Sequence, residues 1–321
     1  MYLTAYARNM PEATVKLEQM INSGSTVKDR FVRQMQSSEY PGLYQSASDA
    51  SSQAQRSFYL AYRLNLALLV CASVLSFINI PHSAAATAQA LVLFAALVCS
   101  AYLSILKPEK HWYYSRATAE SIKSITWRYI SRAEPYDCSD AIADGLLVAR
   151  IRELVKQNKD IAHLLNAHLE KPIISDEMRQ YRRKNVNERK ELYSNGRIKD
   201  QLEWYANKAR FNKVMARRFF LGLLACNACA VIFAIVRIQH PAIENWPTDV
   251  FVTSAAALLS WLQSKRFSEL SASYTLTANE IGLVKEQATN SMNNKEFSMF
   301  VGDAENAFSR EHTQWLARKD A

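Results

Sequence analysis

Ala84–Leu106 runs for 23 residues without one charged side chain, and nothing else in this 321-residue sequence restricts its fold as much. A helix rises roughly 1.5 Å per residue, so about 20 apolar residues cross a hydrocarbon core of about 30 Å. A soluble helical core seldom needs an uncharged run of that length. Just upstream, Leu64–Ile80 is uncharged over 17 residues, and only Pro81, His82 and Ser83 separate the two segments. That connection leaves room for a tight turn alone. The pair predicts an antiparallel transmembrane hairpin with spans near 60–80 and 84–106.

A second, weaker pair follows. Phe219–Val236 offers 18 uncharged residues, whereas Val250–Leu262 offers only 13, a length that also suits a re-entrant or interfacial helix. Trp246 and Trp261 stand where interfacial aromatics belong, and Thr248 or Asp249 can cap a helix after Pro247. Spans are expected near 217–237 and 248–264. Basic residues set the orientation. Arg56 and Arg63 precede the first span, and Lys107, Lys110 and Arg116 follow the second. Lys208, Arg210, Lys213, Arg217 and Arg218 precede the third, and Lys265 and Arg266 follow the fourth. The turns hold only His82 in one case and Arg237, His240, Glu244 and Asp249 in the other. The positive-inside rule places both termini and the middle of the chain in the cytoplasm.

Seven glycines and eight prolines against abundant Ala, Leu, Glu, Lys and Arg predict an all-α fold, here an integral membrane protein with long cytoplasmic helices. The formal charge of +9 favours anionic lipid or nucleotide partners. Met1–Ser57 is polar, so no cleavable signal is expected and the first apolar run stays in the mature protein. Four of the five cysteines sit in apolar segments, which argues against a disulfide framework.

Glu109–Arg132 reads as a helix leaving the membrane, with Trp112, Ala119, Ile122, Ile125 or Thr126, and Tyr129 on one less polar face. Arg116, Glu120 and Lys123 follow one another at i, i+4 and i+7, the spacing of an ion-pair ladder. Phe267 to about Thr289 repeats the pattern with Leu270, Tyr274, Thr277, Ile281 and Val284. The chain is thus an internal repeat of hairpin plus juxtamembrane helix. Between the hairpins, 140–158 and 159–169 carry helical spacing and Pro172 interrupts. The following run to Lys190 holds Arg179, Arg182, Arg183 and Lys184, which can meet phosphates or anionic headgroups, or can form a solvated face balanced by Asp176, Glu177, Glu188 and Glu191.

No catalytic, cofactor or metal site is expected. Cys226 and Cys229 have CxxC spacing, but one pair supplies two ligands where structural zinc takes four. With Gly222 and Ala225 they read as positions of close helix approach, and Asn227 as an interhelical hydrogen-bond donor. Asn65, Ser73, Ser76, Asn79, Thr87, Gln89, Ser100 and Ser104 can line an aqueous path between copies or make ordinary helix contacts. Glu311 and His312 are adjacent and so do not face each other on a helix, no nucleophile accompanies them, and no phosphate-cradling glycine loop occurs. Nucleic acid is not an expected partner.

The sequence resembles a tandem of two SLATT modules, the two-transmembrane effector domains associated with SMODS cyclases and SLOG sensors in bacteria. In the first half the likeness lies in Tyr40-Pro-Gly-Leu-Tyr44 with Ala47, Ser51 and Gln55, then Arg116–Lys123 with Glu120, Trp127-Arg-Tyr129 and Pro135-Tyr136. In the second it lies in Met178, Arg182, Glu188-Arg189, Tyr193, Arg197-Ile198, Asp200-Gln201, Trp204-Tyr205, Lys208-Ala209, Leu270, Tyr274, Glu280, Glu305, Glu311-His312 and Trp315. The resemblance implies a polar extension over 1–36 and modules over 37–186 and 187–321. It further implies a non-enzymatic effector or accessory protein of an anti-phage conflict system in the bacterial inner membrane. Such a protein oligomerises and perturbs or permeabilises the membrane when a cytosolic partner or nucleotide signal activates it. Two other readings stand beside it, a membrane scaffold that recruits a cytosolic defence complex and a nucleotide-gated channel.

Overall fold

The computed structural model describes residues 35–78, 83–243, 245–288 and 291–317, and gives the backbone alone at 160 and 309–317. The Pro81-His82 turn, Asn79, Glu244, most of the 1–36 extension and the side chains of Glu311, His312 and Trp315 lie outside the described residues. What is described is helical, with no strand among the described residues.

Each half begins with one very long helix. In the first, α1 (Gly42–Ile78) starts as a polar Ser/Gln/Ala stretch and turns apolar beyond Arg63. The uncharged helix α2 (Ser83–Leu106) returns alongside it, and α3 (Pro108–Ser131) packs on the polar half of α1. In the second half, α6 (Val186–Tyr193) passes through a π-helical turn at Ser194–Lys199 into α7 (Asp200–Gln239) without interrupting the helical run. α8 (Thr248–Lys265) returns along α7, and α9 (Phe267–Gln287) packs on its polar half. Between the halves lie α4 (Asp140–Gln157) and α5 (Asp176–Arg183), and α10 (Asn294–Ala317) closes the structure against α3.

The basic run expected as one element is two helices, because Ser175 caps α5 and an Asn185–Glu188 capping box restarts the chain as α6. The 159–169 segment contains only a short 3-10 turn, Lys159–Leu164. Both juxtamembrane helices bury the expected faces: Trp112, Ala119, Ile122, Thr126 and Tyr129 on α3, and Tyr274, Thr277 and Ile281 on α9.

The two halves share a backbone device. Between α2 and α3 a single residue, Lys107, sits in the left-handed region at φ 45°, and between α8 and α9 Arg266 does so at φ 49°. One left-handed residue breaks the hydrogen-bond ladder and redirects the chain at the level where the apolar run stops.

Burial divides the molecule into two layers. Trp127, Tyr129, Leu147, Tyr193, Ile198 and Phe297 are fully buried in the polar-helix layer. In the apolar layer, Leu91, Phe94 and Leu97 on α2 and Phe220, Leu224 and Val231 on α7 are about half exposed or more. Three helical runs, α1, α2 and 186–239, are long and apolar enough to cross a membrane, and only 6% of each apolar window is buried. The chain is therefore a membrane protein whose core lies beside its spans. α8 does not reach that apolarity, yet it follows α7 along the whole stretch: Phe251 stacks on Phe233 at 5.4 Å, and Trp261 lies 6.3 Å from Phe219. Within this layer α1 packs against α2 and α8, which joins the two hairpins side by side.

Candidate functional site: the junction of the two halves

The π turn Ser194–Lys199 packs where both halves meet. An added Cβ at Gly196 would stand 3.0 Å from Cη2 of Trp127, a tight approach, so glycine lets that indole seat closely against the turn. The Trp127 Nε1–H donates to Tyr40 Oη at 2.8 Å, which ties α3 to the segment before α1. The π turn then directs Arg197 inward.

Arg197 and Glu305 form the deepest charged pair among the described residues, with side chains 2% and 0% exposed. Arg197 donates through Nε to Oε1 at 2.9 Å and through Nη2 to Oε2 at 2.8 Å, a two-point fork, and Tyr193 Oη donates to Oε1 at 3.0 Å. Burial disfavours the guanidinium, but the carboxylate facing it more than offsets this and holds its pKa above the ordinary arginine value. Burial and then Glu305 push the Tyr193 phenol well up, so it stays a donor. Arg197 Nη1 has no partner among the described residues.

Beside this junction lies a polar cleft of about 210 Å³ between α1, α3 and α7. Arg116, Glu120 and Lys123 enter it from α3, Asp200 and Trp204 from α7, and Ser48, Ser51 and Gln55 from α1. Arg116 lies over the Trp204 ring, 5.6 Å from its centroid. Desolvation holds the Lys123 ammonium below the ordinary lysine value, with Glu120 opposing the shift and Arg197 adding to it. Burial and then Glu120 push the Tyr44 phenol up to about 12. Two cations face two carboxylates here, so the cleft is charge-balanced rather than an anion trap.

The structure thus brings Arg116, Glu120, Trp204 and Tyr205 together around the cleft, with Trp127 and Glu305 beneath it. Trp112 sits at its edge, stacked on Tyr113 at 4.5 Å. Glu280 is exposed on α9, away from the cleft. The Arg197–Glu305 pairing and the approach of Asp200 to α3 carry no signal in the sequence, since each joins residues more than 70 positions apart.

The basic stretch does other work than anion contact at one key position. Arg182 is 1% exposed: Nε donates to Asp140 Oδ1 at 2.9 Å, Nη1 to the Tyr129 carbonyl at 2.7 Å and Nη2 to the Cys138 carbonyl at 2.9 Å. Sealed inside the fold, it cannot meet an outside phosphate or headgroup, which corrects the expectation for that residue. Arg179 is exposed and pairs with Asp144 at 3.1 Å, Arg183 is exposed, and Lys184 is half-buried. Among the described residues no cluster of His, Cys, Asp or Glu is arranged to hold a metal ion.

Family comparison agrees with this two-part construction. The model for SMODS and SLOG-associating 2TM effector domain 3 matches residues 41–190, and that for SMODS and SLOG-associating 2TM effector domain 1 matches residues 193–315. No curated protein and no solved structure matches the chain. The two matched segments adjoin within α6, just before the π turn, each containing one hairpin and its juxtamembrane helix. The chain consists of two SLATT domains in tandem and belongs to the membrane effectors of conflict systems.

Proposed function

We propose that this protein is a non-enzymatic effector of an anti-phage system, crossing the bacterial inner membrane four times with both termini in the cytoplasm. On activation by a cytosolic partner or nucleotide signal, copies assemble and perturb or permeabilise the bilayer. The observation that carries this reading is mechanical. Helices α1 and α6–α7 run unbroken from the buried junction at Arg197–Glu305 into the apolar layer. A rearrangement of the cytoplasmic layer is therefore transmitted to the spans as a tilt or shift of rigid rods. The four-span topology is supported by α8: α9 packs on the polar half of α7, so α8 returns along the full apolar stretch despite its modest hydropathy.

The test is induced expression with its native neighbouring genes in infected cells, read with a membrane-potential dye. Collapse of potential in the wild type, and its loss in a Glu305→Ala variant still present in membranes, is the expected result. Normal potential and growth throughout infection would overturn the permeabilising reading.

A further inference from the structure

Helix α7 carries a seam that its own copy leaves uncovered. Its face toward α8 is set by Gly222, whose added Cβ would stand 3.6 Å from Leu258 Cδ1, by buried Ala230, and by Phe233 stacked on Phe251. Roughly a third of the way round the helix runs a different row: Phe220, Leu224, Asn227, Val231, Ala234 and Ile238. The steps are four, three, four, three and four, the alternation that keeps one stripe facing a partner helix. Every member is exposed, Leu224 by 48% and Val231 by 58%.

Apolar exposure alone would suit lipid, but Asn227 does not. It lies at the centre of the uncharged stretch 219–236, where hydrocarbon offers neither donor nor acceptor. Several other polar groups of the apolar layer find partners within the copy. Ser73 donates to the Val70 carbonyl, Thr87 to the Ser83 carbonyl, Ser254 to the Val250 carbonyl, and Ser100 to Asn65 Oδ1. Among the described residues nothing pairs with the Asn227 carboxamide.

We infer that this seam is the contact between α7 helices of two copies of this chain, with Asn227 hydrogen-bonded to Asn227 of the neighbour. A carboxamide is its own complement, carrying two donors and an acceptor in one group. All copies share one topology, so the two α7 helices run parallel and their seams meet in register. A single asparagine in an apolar seam also selects that register over its slips. Upstream, the same alternation reaches Arg217 and Lys213, where like charges would face, so the contact ends at headgroup level. This inference rests on the self-assembly in the proposed function and adds its surface.

The experiment uses the full chain in inner-membrane vesicles, with the five native cysteines replaced by serine and single cysteines introduced by turns. Oxidation is expected to cross-link Leu224→Cys and Val231→Cys about fivefold more than the equally exposed Leu221→Cys and Ile232→Cys off the seam. Adding Asn227→Leu should reduce the seam cross-links severalfold, whereas Asn227→Gln, which keeps the carboxamide, should retain them. Equal yields at all four positions, or seam yields indifferent to Asn227→Leu, overturn the seam. Particle mass in lipid nanodiscs separates the two ideas: a multimer cross-linking off the seam leaves assembly standing and removes this surface, while a monomer under activating conditions removes both.

Discussion

Arg197 and Glu305 show what a buried ion pair demands of its surroundings. Removing one partner strands the other charge away from water, which costs about 3–5 kcal/mol. Glu305→Ala should lower the unfolding temperature sharply in detergent, while the double variant Arg197→Met, Glu305→Leu should recover most of the loss. A single variant as stable as the wild type would show that water reaches the pair. Lys123 gives the opposite sign. Its ammonium is disfavoured by burial, so the unfolded chain binds more protons between the depressed native value and the ordinary one. Stability should therefore rise with pH across that window, and Lys123→Met should both flatten the rise and stabilise the protein at neutral pH, as read by thermal unfolding across a pH series. Gly42 is a matter of space: an added Cβ would lie 2.4 Å from the His168 carbonyl oxygen. Gly42→Ala is expected to cost about 1–3 kcal/mol in the same measurement.

Among elements, the left-handed residues Lys107 and Arg266 mark the same joint in both halves. A branched side chain there crowds the following carbonyl, whereas glycine does not. Lys107→Gly should exceed Lys107→Val in stability by about 1–2 kcal/mol, with the same order at Arg266. Equal stabilities would mean that the joint relaxes to a different backbone. The π turn is the second joint. It inserts an extra residue into an otherwise continuous helix and so rotates Arg197 toward Glu305, a placement that ordinary helical phase does not give.

At the scale of the whole molecule, the load falls on α8. An impermeant maleimide applied to spheroplasts should label Ile243→Cys readily and Leu283→Cys, on α9 beyond α8, only after permeabilisation, each in a chain whose native cysteines are replaced by serine. Labelling of both from the outside, or of neither, would dismantle the four-span topology. The long α1 and 186–239 helices make the molecule a body and a membrane layer joined by continuous rods, with no hinge of loop residues between them.

Length and charge by themselves determined the helical class, the first hairpin and the buried faces of α3 and α9, because an uncharged 23-residue run and a 3.6-residue period are local properties. Only the tertiary structure decided where the arginines go. Arg182 reads as a cation of the basic stretch, and Arg197 entered only through the family resemblance. They are buried because carbonyls at Tyr129 and Cys138 and the carboxylates of Asp140 and Glu305 arrive from other helices to meet them. The same holds for α8: its short uncharged run raised the expectation of a span near 248–264 but also suited a re-entrant helix, and its course along α7 is visible only in the packing. Pairings between distant segments depend on how helices pack, and helix packing is not written in any single window of sequence.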